Sequence, residues 1–362
     1  MKSRSLIVLA VITAVAVLAA AWAVLDRQRS SQVASVPAAL FPGLIDRVNE
    51  VVELDVDAPG LAFAIVKGAD DAWSVPQRGG YPVTFETVKQ AVVGIAGLKP
   101  LEAKTGRPEL HDKLGLKTTA DGGKGTTLTM KDGAGEVIAA VVVGRTRTPP
   151  TTTQPGRHYV RRAGEDQSWL AAGRMEVWDK IERWLDPAMP VVERKRVRAA
   201  RTEKPDGELI LVSRADPDAR DFVVEDLPEG WRMLHDTAGN ALGSALGFLS
   251  FEDVAPADSI DFDGATVAEY FTFDGLVLKV EVVLRDKLYW ARFSARYAAD
   301  QVRQEGLSEE QRAALLDGEA VQQEVMRINQ RFAGWAYRLP GYKGKDFLIA
   351  RDAVIAKDDK SG

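Results

Sequence analysis

The stretch Asp121-Gly122-Gly123-Lys124-Gly125-Thr126-Thr127 carries the glycines and lysine with which a backbone cradle grips phosphates. Such a cradle needs Gly five places before the Gly-Lys pair and a hydroxyl residue directly after the lysine, and Thr118 and Gly125 stand there instead. The stretch therefore reads as a glycine-rich hairpin turn. Asp261 and Asp263 place two carboxylates two residues apart, but a calcium loop continues with a third oxygen ligand, and residue 265 is Ala. Asp216, Asp218 and Asp221 crowd around Pro217 as at a solvated turn. Ser244 follows Gly243, yet the strained elbow of a serine nucleophile also needs Gly at 242, which is Leu. His111, His158 and His235 are the only histidines and Cys is absent, which excludes disulfides, thiolate metal sites and cysteine nucleophiles. No catalytic, cofactor-binding or metal-ligating set is expected.

Two basic clusters remain. Arg145, Arg147, Arg157, Arg161 and Arg162 surround the Thr/Pro-rich loop 146–155, and Arg194, Lys195, Arg196, Arg198 and Arg201 follow Pro190. Alternating charges of this kind cover the solvent side of strands. They also suit anionic headgroups, cell-wall polymer or an acidic patch on a protein partner. Trp178, Trp184, Trp231, Trp290 and Trp335 are spaced as core or docking residues.

The elements that position these residues follow from the pattern of apolar residues. With 46% hydrophobic and 27% charged residues, the 362-residue chain has a globular composition and is long enough for two or three domains. A net charge of -5 argues against bulk affinity for nucleic acid. Leu6 to Leu25 is an uncharged run of the ~20 residues that a helix needs to cross a bilayer. It predicts a single-pass anchor in the cytoplasmic (inner) membrane over 1–29, in contact with lipid. Lys2 and Arg4 narrowly favour an inside N-terminus, which leaves the bulk of the chain extracytoplasmic. A cleavable signal peptide ending near Ala21-Trp22-Ala23 is the competing reading, and the length of the run favours the anchor. A tether follows over 30–40.

Beyond it the chain reads as α+β, two related strand-rich modules with short helices over 41–189 and 190–306. Alternation marks strands from Val51 to Val75, and Thr84 caps a helix carrying Val88, Ala91, Val92 and Ile95 on one face. Strands recur over 126–130, 136–143, 159–162 and 168–171, and Val177, Ile181 and Leu185 predict a helix over 174–185. The second module repeats the plan: strands over 197–200, 208–212 and 222–224, then a helix in which Ala241 answers Ala91 and Ser244 answers Gly94. Asp274-Gly275 answers Asp132-Gly133 as a hairpin turn. A C-terminal segment, 307–362, opens with a helix capped by Ser308.

Trp73, the Tyr81-Pro82 turn with its short helix, and the closing Gly334-Trp335-Ala336-Tyr337-Arg338-Leu339-Pro340 with Tyr342-Lys343, together with the single N-terminal span, resemble a bacterial family of unknown function. The resemblance covers most of the region after the span, and the Thr/Pro-rich loop departs from it. Members of that family are often encoded beside ABC-type transport components of the gliding-motility class. The resemblance thus implies a membrane protein partner and a non-enzymatic accessory role, and brings no catalytic residues with it. The alternatives are an envelope glycan- or lipid-binding module and, on Asp261 and Asp263 alone, a carboxylate-pair hydrolase.

Overall fold

A computed structural model describes residues 36–149 and 151–358. The run Leu6 to Leu25 lies outside the described residues. Among those residues no helix is long and apolar enough to cross a membrane. The chain divides into two compact units, one made of residues up to Ser74 and Val83–Lys180, the other of Val75–Pro82 and the chain from Ile181 onward.

The first unit is built on antiparallel strands β1 (Glu53–Ala58), β2 (Leu61–Lys67), β3 (Trp73–Val75), β5 (Lys99–Ala103), β6 (Thr126–Lys131), β7 (Val137–Thr148), β8 (Gly156–Arg162) and β9 (Ser168–Gly173), with the short β4 (Tyr81–Val83) ahead of β5 in the chain. Without β4, two of whose three residues belong to the second unit, the strands lie in the order β3-β2-β1-β6-β7-β8-β9-β5. Alternation does what period two demands: Leu54, Val56, Ile65, Leu128 and Met130 are buried while their neighbours in the chain are more exposed. Helix α1 (Leu44–Arg47) is a single turn, whereas α2 (Phe85–Ala96) is the full helix expected, with the Thr84 hydroxyl accepting from the Thr87 amide and the expected stripe buried. Leu40, placed within the tether by sequence, is wholly buried, and its amide donates to the Leu98 carbonyl.

The second unit repeats the antiparallel habit. Strands β10 (Val197–Glu203), β11 (Leu209–Ser213), β12 (Val223–Val224), β14 (Asp253–Pro256), β15 (Thr266–Thr272), β16 (Leu276–Arg285), β17 (Leu288–Tyr297) and β18 (Trp335–Leu339) lie in the order β12-β11-β10-β15-β16-β17-β18-β14. A separate ribbon pairs β13 (Trp231–Met233) with β19 (Ile355–Lys357). A 15-residue amphipathic helix, Gly318–Phe332, packs on β17 and buries Val321, Ile328 and Phe332. Phe293, Phe332 and Tyr337 meet edge-on, with centroids 5.6 to 6.3 Å apart.

Three local expectations are corrected. Over 174–185 only Ile181–Arg183 is helical, as one 3-10 turn. The contact there is tertiary: a Cβ on Gly94 would stand 2.4 Å from the Arg174 carbonyl oxygen and 3.0 Å from the Met175 Cα, so that backbone lies directly against α2. The second-module helix shrinks to Asn240–Gly243, where the Gly243 backbone closes onto the Phe222 ring and Phe248 takes a positive φ of 54°. The C-terminal helix is split: the Ser308 capping box serves only Glu309–Ala313, and Asp317 caps the longer helix afresh.

Candidate functional site

The ten basic residues singled out by sequence divide by burial, and Arg201 among them pairs with Glu203 and Glu269. Arg161 is 7% exposed, and its guanidinium is consumed by the carbonyls of Leu116 and Glu165, so burial lowers its pKa. Arg162 donates to the Leu40 carbonyl at 2.7 Å and pairs with Glu165. Arg196 is also internal, clamped between Asp274 at 2.7 Å and Glu324 at 2.7 Å. Arg198 reaches Gln301, with burial pulling its pKa down. Arg194 lies over the Phe222 ring and donates to Ser244 and the Arg220 carbonyl, and Lys195 pairs with Asp218. The charges of Arg161 and Arg196 are thus spent inside the fold.

Arg145, Arg147 and Arg157 are different. They stand at the end of the β7–β8 hairpin, where Arg145 through Pro149 and Thr151 through Pro155 are exposed. Two register shifts, between Val143 and Thr146 and between Thr146 and Thr148, break the regular ladder there. Among the described residues no carboxylate pairs with any of the three. The field of Arg147 reaches Glu102, whose carboxylate Lys104 already holds.

The remaining candidates are structural. Asp261 and Asp263 close a turn, with the Asp263 amide donating to Asp261 and Arg285 bridging both residues. Among the described residues no group of three metal-ligating side chains converges.

A cleft that sequence patterning does not announce lies within the second unit. Its volume is about 500 Å³, and it is lined by Tyr81, Pro82, Asp186, Arg327, Gln330, Arg331 and Trp335. Each element delivers its residue for a local reason. Gly79 and Gly80 both take positive φ, and a Cβ on Gly79 would meet Pro256 at 2.5 Å, so only glycine lets the chain turn Tyr81 inward. On the Gly318–Phe332 helix, Arg327 and Arg331 are one turn apart, which puts them with Gln330 on one edge beside the buried stripe. Gly334, at φ 83°, reverses the chain from that helix into β18. Along β18 Trp335 and Tyr337 then share a face, and Tyr81 meets both edge-on, at centroid distances of 5.0 and 6.1 Å.

The polar floor is ordered. Asp186 receives Arg331 as an ion pair, its carboxylate accepts from the Ala188 amide at 3.1 Å, and its carbonyl accepts from the Tyr81 hydroxyl at 3.1 Å. Burial, with Asp186 close by, pushes the Tyr81 phenol up to about 12, so it stays protonated and donating through the physiological range. Arg327 is exposed and has no carboxylate partner among the described residues. Asp186 and Arg331 neutralise each other, so the lining carries one uncompensated positive charge. The nearest sequence signal for this site is the pair of aromatic turn motifs at Tyr81-Pro82 and Trp335, which carry the family resemblance.

No curated protein and no solved structure matches the chain. The model of a domain of unknown function, DUF4340, matches residues 73–269, which take in Trp73, Tyr81, Pro82 and Asp186. That match spans more than half of the 362 residues, and the chain belongs to the DUF4340 family.

Proposed function

We propose that this chain is a membrane-anchored, extracytoplasmic accessory protein without enzymatic activity, which docks onto an acidic surface of a membrane partner through the β7–β8 hairpin. The observation that carries the reading is the cluster Arg145, Arg147 and Arg157, three exposed guanidiniums with no carboxylate partner among the described residues. Exposed charge of one sign steers association and chooses among partners. The uncharged run Leu6 to Leu25 supports an anchor in the cytoplasmic membrane with the N-terminus inside. A transporter of the ABC type is the partner class this reading takes, by the family resemblance drawn above.

Duplication of one ancestral module belongs to the same reading. Its support is that, with β4 of the nine-stranded first sheet set aside, the two strand orders correspond neighbour for neighbour, β3-β2-β1-β6-β7-β8-β9-β5 against β12-β11-β10-β15-β16-β17-β18-β14. One copy then keeps the cationic hairpin, and the corresponding β16–β17 turn is tight, at Asp286-Lys287.

The test is crosslinking in intact cells from a photoreactive side chain at position 147, followed by purification in mild detergent. A crosslinked membrane protein is expected, and it should disappear when Arg145 and Arg157 are both replaced by Glu. Recovery of the chain alone, or crosslinking indifferent to the charge reversal, overturns the docking reading. Recovery of the intact full-length chain in the soluble cytosolic fraction overturns the anchor.

A further inference from the structure

We infer that the cleft between Tyr81, Trp335 and the Arg327–Arg331 edge binds a sugar ring that carries a carboxylate, as in an acidic envelope polysaccharide. The inference is independent of the hairpin docking proposed above, since all seven lining residues lie in the second unit.

Three features combine. First, the apolar part of the lining is Trp335, Tyr81 and Pro82, flat surfaces that suit the C–H faces of a pyranose. Second, Asp186, Arg331 and Gln330 offer planar groups with paired donors or acceptors, the geometry that grips vicinal hydroxyls. The Asp186–Arg331 pair and the Tyr81 hydroxyl hold this floor before any ligand arrives, which reduces the ordering cost of binding. Third, the charge count selects the ligand. Arg331 is offset by Asp186, so among the described residues of the lining Arg327 is the one cation left over, matched to one carboxylate per ring rather than to a phosphate dianion. A volume of about 500 Å³ lies in the ~300 to 1,000 Å³ range of small-ligand sites, and the cleft opens to solvent, as binding to a polymer requires.

The test is calorimetric titration of the full chain in lipid nanodiscs with trigalacturonate, with maltotriose as the neutral trisaccharide and acetate as the bare carboxylate. Trigalacturonate is expected to bind saturably and about tenfold more tightly than maltotriose, with acetate failing to compete, since one charged hydrogen bond supplies a discrimination of about that size. Arg327→Gln should remove that preference while leaving the melting temperature unchanged, because Arg327 is exposed and bears no carboxylate contact among the described residues. Trp335→Phe keeps an aromatic ring against Tyr81 and should weaken both trisaccharides severalfold. Equal affinity for the charged and neutral trisaccharides, effective competition by acetate, or an unchanged trigalacturonate affinity in Arg327→Gln overturns the inference, as does the absence of saturable binding.

Discussion

Replacing Asp274 by Ala removes a carboxylate that accepts four hydrogen bonds inside the second unit: two from Arg196 at 2.7 and 3.3 Å, one from the Thr272 hydroxyl at 2.5 Å and one from the Leu316 amide at 3.2 Å. The Asp274 side chain is 0% exposed and that of Arg196 is 8% exposed, so water cannot take over these bonds freely. Glu324 still holds Arg196 through two bonds at 3.0 and 2.7 Å, which keeps the guanidinium from being stranded altogether. The expected loss is therefore at the lower end of that for breaking a buried pair, about 3 kcal/mol. For a unit of this size that is a fall of roughly 6 to 12 °C in the midpoint of thermal unfolding. Removing Glu324 instead, whose side chain is 14% exposed, leaves the Arg196–Asp274 pair intact and should cost only about 1 kcal/mol. Scanning fluorimetry of both variants checks the order. A change below about 2 °C in Asp274→Ala, or equal losses in the two variants, would refute the reasoning that burial of the pair sets its worth.

Gly94→Ala separates packing from propensity: in an exposed helix interior it would stabilise by roughly 0.5 to 1 kcal/mol, but here the new Cβ meets the Arg174 carbonyl oxygen at 2.4 Å, and a loss of about 1 to 3 kcal/mol is expected in denaturant unfolding. His158 is 5% exposed, and burial lowers its pKa below that of the unfolded chain, so the unfolded state binds the extra proton first. Its contribution is therefore intact above about pH 6.5 and is lost as pH falls from there toward the depressed value; a pH series of unfolding midpoints should show that slope, and His158→Gln should flatten it. The Tyr270 hydroxyl is buried with no hydrogen-bond partner among the described residues, so Tyr270→Phe should be neutral or stabilising by up to about 1 kcal/mol; a clear loss in midpoint would show that the hydroxyl is satisfied.

Much of the strand framework is legible in sequence because alternation is a local property. The hairpins turning at Asp132-Gly133 and Asp274-Gly275, the Thr84 and Ser308 caps and the stripe Val88, Ala91, Val92 and Ile95 all stand where period and cap chemistry put them. Helical periodicity misled where glycine backbone and neighbouring chain met, at Arg174–Met175 against Gly94 and at Gly243 against Phe222. There the contact that decided the conformation involves residues far apart in the chain, and a local window cannot register it.

The same division separates the sites. From sequence alone came the composition, the charge, the uncharged run Leu6 to Leu25, the rhythm of strands and the positions of the arginines. Only tertiary structure decided which arginines remain available. Arg196 and Arg147 look alike in a basic stretch, but the first hydrogen-bonds carboxylates 78 and 128 residues away while the second makes no ion pair among the described residues. Tyr81 and Trp335 likewise become one cleft because a glycine turn and the end of a helix bring their rings within 5.0 Å. The physical reason is that local pattern governs which side of an element is apolar, whereas the environment of a charge or a ring is set by whatever distant chain packs over it.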